Sequence, residues 1–143
     1  MKQVFWNALE ISSPRVVNPS RHSTKMSGAM AECLFCRIIS REIQATIVYE
    51  DDQIVAFNDI NPQGPVHVLV VPRRHIATLN DLTHDDDELV GELVRRAAAI
   101  AKQRGISAGG YRTVFNTNHD AGQTVFHMHL HLIGGRPMHW PPG

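Results

Sequence analysis

Apolar and polar positions alternate most strictly near the C-terminal end, over His127-Met128-His129-Leu130-His131-Leu132-Ile133-Gly134. That period-two pattern predicts a strand over His127–Leu132, with Met128, Leu130 and Leu132 toward the core. The three histidines then project together from the opposite, solvent-facing side, successive rings roughly 6.5–7 Å apart. Earlier in the chain, Phe35, Ile38 and Ile39 give a short helix one apolar face, ending before Ile43. Two compact strands follow, Ile47–Glu50 and Ile54–Asn58, joined by the turn Asp51-Asp52-Gln53. Asp59–Pro65 carries loop chemistry, and His67–Val71 is apolar enough for a central strand, closed by Pro72-Arg73-Arg74-His75. Thr83 can cap a long helix whose apolar stripe is Leu89, Val90, Leu93, Val94, Ala97 and Ala101, with Gly105 at its end. Asp85, Asp86, Asp87 and Glu88 fall in its first turn, where the helix dipole favours anions, so this acidic run reads as capping rather than metal binding. Tyr111–Phe115 is a further strand, followed by the polar loop Asn116–Thr124. The order implies an α+β fold, a mostly antiparallel five-stranded sheet with one short and one long helix.

The 143 residues suffice for one domain with a core of its own. Residues 1–31 read as an extension and residues 32–143 as the domain. Pro14, Pro19 and unpatterned Val and Trp mark the extension, and no apolar run follows its basic residues, which argues against a secretory signal. A transit-like segment, a disordered tail, or an upstream start bypassed in favour of Met26 or Met30 all remain open. Net charge is zero, but Lys2, Arg15, Arg21 and Lys25 against Glu10 leave the domain with more acidic than basic groups. Neither nucleic acid nor an anionic membrane finds a general electrostatic partner here, and no apolar stretch is long enough for a membrane span. Both cysteines lie in Cys33-Leu34-Phe35-Cys36, a spacing that suits reduced thiols inside a cell better than a structural disulfide.

Three imidazoles in register admit three readings: a His-rich solvated strand, a metal chelate, or nucleophilic catalysis with one ring attacking and its neighbours orienting it. The segment Ala121-Gly122-Gln123-Thr124 just upstream supplies hydrogen-bond donors and a glycine that lets backbone approach an anion. Donors suit an electrophile's oxygens better than they suit a cation.

The alternating run, together with Ala121-Gly122-Gln123-Thr124-Val125, resembles the signature of the histidine triad (HIT) superfamily. Cys33–Ile39, Ala56–Ile60 and the tail Met138-His139-Trp140-Pro141-Pro142-Gly143 resemble its Hint branch. That resemblance implies a homodimeric hydrolase cleaving the P–N bond of adenosine 5′-monophosphoramidate and related AMP–amine conjugates through a nucleotidyl-histidine. It makes His129 the nucleophile, oriented by the carbonyl of His127. It makes His131, the amide near Gly122, and Asn116 the donors to phosphate oxygens. Thr124 stands where relatives usually carry serine and would protonate the leaving amine; His67 lines that side. Asp59 would accept the ribose hydroxyls. Leu34, Phe35, Ile38, Ile43, Phe57, Asn58, Ile60, Leu69 and Gln123 would form the nucleotide pocket, although pattern alone reads most of the apolar ones as core. Trp140 would reach toward the partner subunit's site. No cofactor is implied; a zinc ion on Cys33, Cys36, His75 and His127 is chemically feasible but disfavoured, because Hint relatives generally act without metal. A cytoplasmic location is implied, with the nucleus as an addition and the mitochondrion if the extension is a transit peptide. Alternatives are a dinucleoside polyphosphate hydrolase or nucleotidyl transferase, and a non-enzymatic nucleotide- or zinc-binding regulator.

Overall fold

A computed structural model describes residues 28–143. Most of the 1–31 extension, and with it the transit-peptide reading, lies outside the described residues. The elements are helix α1 (Gly28–Glu32), helix α2 (Leu34–Ile39), strands β1 (Ile47–Glu50), β2 (Ile54–Asn58) and β3 (Val66–Pro72), helix α3 (Asp87–Gln103), and strands β4 (Tyr111–Phe115) and β5 (Leu130–Gly134). The five strands form one sheet in the order β1-β2-β3-β5-β4, antiparallel throughout. Among the described residues, no helix is long and apolar enough to cross a membrane.

The alternation of β2, β3 and β5 divides the side chains between two faces. Ile54, Ala56, Val68, Val70, Leu130 and Leu132 pack with Met128 against Leu93, Ala97, Ile100 and Ala101 of α3. On the other face, Val55, Phe57, Leu69 and Val71 pack against Phe35 and Ile38 of α2. The amphipathic stripe of α3 is thus buried as its spacing predicts. Its start is more elaborate: a 3₁₀ turn, His84–Asp86, precedes the α-helix. Thr83 and Asp86 form a reciprocal cap, the Thr83 N–H donating to Asp86 Oδ2 at 2.8 Å. Asp86 is buried and also accepts from Arg74; its carboxylate caps the 3₁₀ turn and not α3 itself, whose N-cap is Asp86 without a side-chain cap bond. Gly105, at φ +73°, carries the chain out of the helix.

Two expectations require correction. The final strand begins at Leu130, not His127. The β3–β5 register, carried on past Val70↔Leu130, would set Pro72 opposite Met128, and proline has no N–H for the ladder. Residues 127–129 instead run along the turn after β3, with the Met128 N–H donating to Ile76 O at 2.6 Å. Nor is the histidine side solvent-facing. His127 and His129 are buried and His131 half-buried, because α2 lies over them. Alternation alone reports which residues share a face, not whether a distant helix covers it.

Candidate active site

The Phe35 ring meets the rings of His127 and His129 edge-on, with centroids 5.9 and 5.0 Å apart. Beside it, Leu34, Phe35, Ile38, Ile43, Phe57, Asn58, Asp59, Ile60, Leu69, Thr124, His129 and His131 line a cavity of about 230 Å³. Val125, from the motif that precedes the triad, joins them, as do Gln44 and Ala45, residues with no sequence signal of their own. Ile60 is 95% exposed at the rim, far from the core role that its type suggests.

Hydrogen bonds fix the protons on these rings. His129 Nδ1 lies 2.7 Å from His127 O, and a carbonyl can only accept, so the neutral ring carries its proton there. Nε2 of His129 is left with a bare lone pair. His67 Nδ1 accepts from the Gln63 N–H at 3.0 Å, so its proton sits on Nε2 and is donated to His131 Nδ1 at 2.9 Å. His131 therefore carries its own proton on Nε2, as a donor. An acceptor nitrogen and a donor nitrogen thus stand on neighbouring rings with centroids 4.8 Å apart. Burial draws His129 and His67 below the ordinary imidazole value. Burial, with His129 and His67 nearby, draws His131 down to about 4, so this set is neutral at pH 7. The Asp59 Oδ2–His67 Nε2 approach of 3.5 Å is accordingly no ion pair. Asp59, His67 and His131 lie close enough to share a metal, but His67 already accepts at Nδ1. A cation on its Nε2 would require an imidazolate, so this set is a hydrogen-bond relay.

A second cluster adjoins the first. His127 donates Nε2–H to Pro72 O at 2.7 Å, which leaves its Nδ1 lone pair facing Cys33 Sγ at 3.6 Å and Cys36 Sγ at 3.5 Å. His75 Nδ1 lies 3.3 Å from Cys36 Sγ. All four donor atoms fall within 4.8 Å of one another. Burial, reinforced by the neighbouring Cys33 thiol, pushes Cys36 up to about 12, and burial pulls His127 down to about 4.

Other expected site residues are placed elsewhere. Gln123 is buried and its amide is spent: Nε2 donates to Ala77 O at 2.8 Å and Val125 O at 3.1 Å, while Oε1 accepts from the Asn118 N–H at 2.8 Å. It braces the loop rather than lining the cavity. Asn118 needs that brace, because at φ 64° and ψ −174° it occupies backbone space that favours glycine. The Gly122 N–H donates to His119 O at 2.9 Å and closes its own turn at φ +80°, so it is not a free phosphate donor. Asn116 is half-buried at the end of β4, outside the cavity lining. Trp140 is 84% exposed and does not line the cavity of its own chain. A glutamine or glycine near a phosphate motif looks the same in sequence whether its donors are free or spent.

Known proteins share this fold and sequence. A family model described as "Scavenger mRNA decapping enzyme C-term binding" matches residues 32–140. The purine nucleoside phosphoramidase of Escherichia coli is 48% identical over 107 residues, 75% of this chain and 90% of that protein. An uncharacterised HIT-like protein of Synechococcus elongatus is 52% identical over 112 residues, 78% of this chain and 97% of its own length. The crystal structure of a HIT family hydrolase from Legionella pneumophila superposes with a TM-score of 0.77 at 55% identity, over 78% of this chain and 99% of that one. The chain belongs to the histidine triad family of hydrolases.

Proposed function

We propose that this hydrolase cleaves the P–N bond of purine nucleoside 5′-phosphoramidates, adenosine 5′-monophosphoramidate and AMP–amine conjugates among them, by way of a nucleotidyl-His129. One observation carries the reading: the His127 carbonyl holds the His129 proton on Nδ1, so the lone pair of Nε2 is free on a ring that lines the cavity with Phe35, Asp59 and His131. His129 Nε2 attacks phosphorus, the P–N bond breaks, and the amine leaves with a proton for which the Thr124 hydroxyl is the nearest expected source. Water then attacks phosphorus of the nucleotidyl-imidazole, its proton passing back to the Thr124 oxygen as the Nε2–P bond breaks, which releases AMP and restores both side chains. His131 Nε2–H stabilises the charge that develops on the phosphate oxygens, the main demand of phosphoryl transfer. Asn116, half-buried just past β4, is a further donor for the same oxygens, while the Gly122 N–H is already donated within its own turn.

Leu34, Phe35, Ile38 and Leu69 supply apolar walls for a base. Asp59 keeps acceptor capacity for the ribose hydroxyls although one of its oxygens already takes the Asn61 N–H at 2.8 Å. The active assembly is read as a homodimer, with Trp140 turned toward the partner subunit's site. Sedimentation of the full chain tests that assembly, and a monomer would remove Trp140 from the site.

Zinc fits the second cluster better than composition suggests. Tetrahedral zinc with Zn–S near 2.3 Å and Zn–N near 2.0–2.1 Å sets sulfur and nitrogen about 3.6 Å apart. Three of the four sulfur–nitrogen pairs lie 3.3, 3.5 and 3.6 Å apart, the fourth within 4.8 Å, and the Pro72 carbonyl already fixes the outer nitrogen of His127. Cys33, Cys36, His75 and His127 would hold the ion, which would fasten three chain segments and take no part in bond breaking. This reverses the preference drawn from family resemblance. One zinc per chain in protein purified without chelator supports it; substoichiometric metal refutes it.

Intact-mass analysis after rapid quench with adenosine phosphoramidate tests the chemistry. An AMP adduct on His129 supports the reading. Diadenosine polyphosphate turnover exceeding that of the phosphoramidate would reassign the chain to a polyphosphate hydrolase or nucleotidyl transferase. Binding of AMP without turnover of either would leave a nucleotide-binding regulator.

A further inference from the structure

Leu34 and Phe35, which line the cavity, stand between the two cysteines that face His127. One helical turn thus carries a wall of the nucleotide site and half of a four-donor cluster. His127 completes the connection. Its ring nitrogens face the thiols and Pro72 O, and its backbone carbonyl holds the nucleophile's Nδ1–H at 2.7 Å. The neighbouring Met128 N–H is tied to Ile76 O, one residue past His75. The same two segments that supply cluster donors therefore grip the backbone from which His129 is aimed.

We infer that Cys33, Cys36 and His75 are positioning residues for His129, and that filling their cluster and filling the nucleotide cavity favour each other through His127 and α2. The inference rests on the zinc reading above and goes beyond it. Phe35 and Ile38 anchor α2 by packing, whereas the Nδ1 side of His127 meets the thiols at 3.5 and 3.6 Å and Cys33, at the start of the helix, is only partly buried. A bound cation would pin side chains from residues 33–36, 75 and 127 at once. A nucleotide arriving at the pinned site has less left to order, and ordering accomplished once is shared by both ligands. Binding linkage is reciprocal, so the nucleotide must tighten zinc by the factor with which zinc tightens the nucleotide.

The test is the zinc affinity of the stripped full chain, measured by chelator competition with and without saturating AMP. We expect AMP to lower the zinc Kd by about fivefold or more, the lower end of typical coupling between sites, with an equal shift in AMP Kd on adding zinc. A purely structural ion would raise thermal stability without this reciprocity. Should the stripped chain unfold, cobalt-loaded full chain gives a second readout, because AMP should shift its visible d–d band. Zinc bound at one per chain with AMP-independent affinity, or a cobalt band that AMP does not move, overturns the coupling and leaves the zinc reading standing. A chain that binds no metal overturns both.

Discussion

The two faces of the sheet obey one alternation and put it to different uses. Against α3, Ile54, Ala56, Val68, Val70, Met128, Leu130 and Leu132 meet Leu93, Ala97, Ile100 and Ala101, a layer whose buried members are all apolar, with Tyr49 at its edge. Against α2, the same strands and the segment before β5 present Leu69 and Val71 beside His67, His127, His129 and His131. Packing alone stabilises the first face. The second buries imidazoles, and each of the inner three is held by a hydrogen bond to a carbonyl or another ring. Buried polar groups persist only when so satisfied, which is why this face is ordered by specific bonds as well as by volume. Both faces bury apolar side chains, then, but the imidazoles are gathered on the second alone.

The sharpest division between the two faces comes from paired substitutions. His129→Ala should lower phosphoramidase kcat by about a thousandfold or more while AMP affinity is largely kept, checked by steady-state kinetics and calorimetric titration. Equal loss of both would make His129 structural and erase the distinction. On the α3 face, Leu132→Ala should cost about 2–5 kcal/mol of stability by removing a fully buried side chain. Denaturant unfolding measures that cost, and kinetics of the remaining folded protein should change little. Next in size is Gln123→Ala, which strips a buried brace from the Asn118 and Val125 backbone and should cost about 1–3 kcal/mol.

Acid should divide the faces more gently. His131 is held at about 4 and His67 below its ordinary value, so both are neutral when folded and take up protons more readily when unfolded. Stability from this source is whole above pH 6.5 and is lost as pH falls from there toward 4. His131→Asn should flatten the Tm-against-pH curve in that window, while Leu132→Ala should only lower it. The acid limb of kcat/KM should likewise lie below pH 6.5, since burial draws the His129 value down. The smallest effect belongs to Ile60→Ala. At 95% exposure it should leave Tm unchanged, and its mark should be a modest rise in KM, as expected of a rim contact.

Much of this was visible in local pattern. β1, β2 and β4 have the bounds that alternation and turn residues predict, and α3 has its stripe and its exit at Gly105, while Thr83 caps the 3₁₀ turn that leads into it. The partition of Met128, Leu130 and Leu132 from the three histidines follows from a period of two and holds even where the ladder stops. Such features depend on neighbours a few residues apart, and the chain writes those neighbours in order. The fate of Gln123 and Gly122 could not be read this way, because whether an amide is free or spent depends on Ala77 and His119 arriving beside it.

By itself, then, the sequence determined the strand faces, the helix caps and the imidazole that stands at the centre of the triad. Only the tertiary structure decided that α2 would cover those rings, that Pro72 would halt the final strand short of them, and that Cys33, Cys36 and His75 would meet His127 from more than ninety and fifty residues away. Periodicity is a property of adjacent residues. Burial and the convergence of donor atoms are properties of which remote segment lies across them, and those are set by packing of the whole chain.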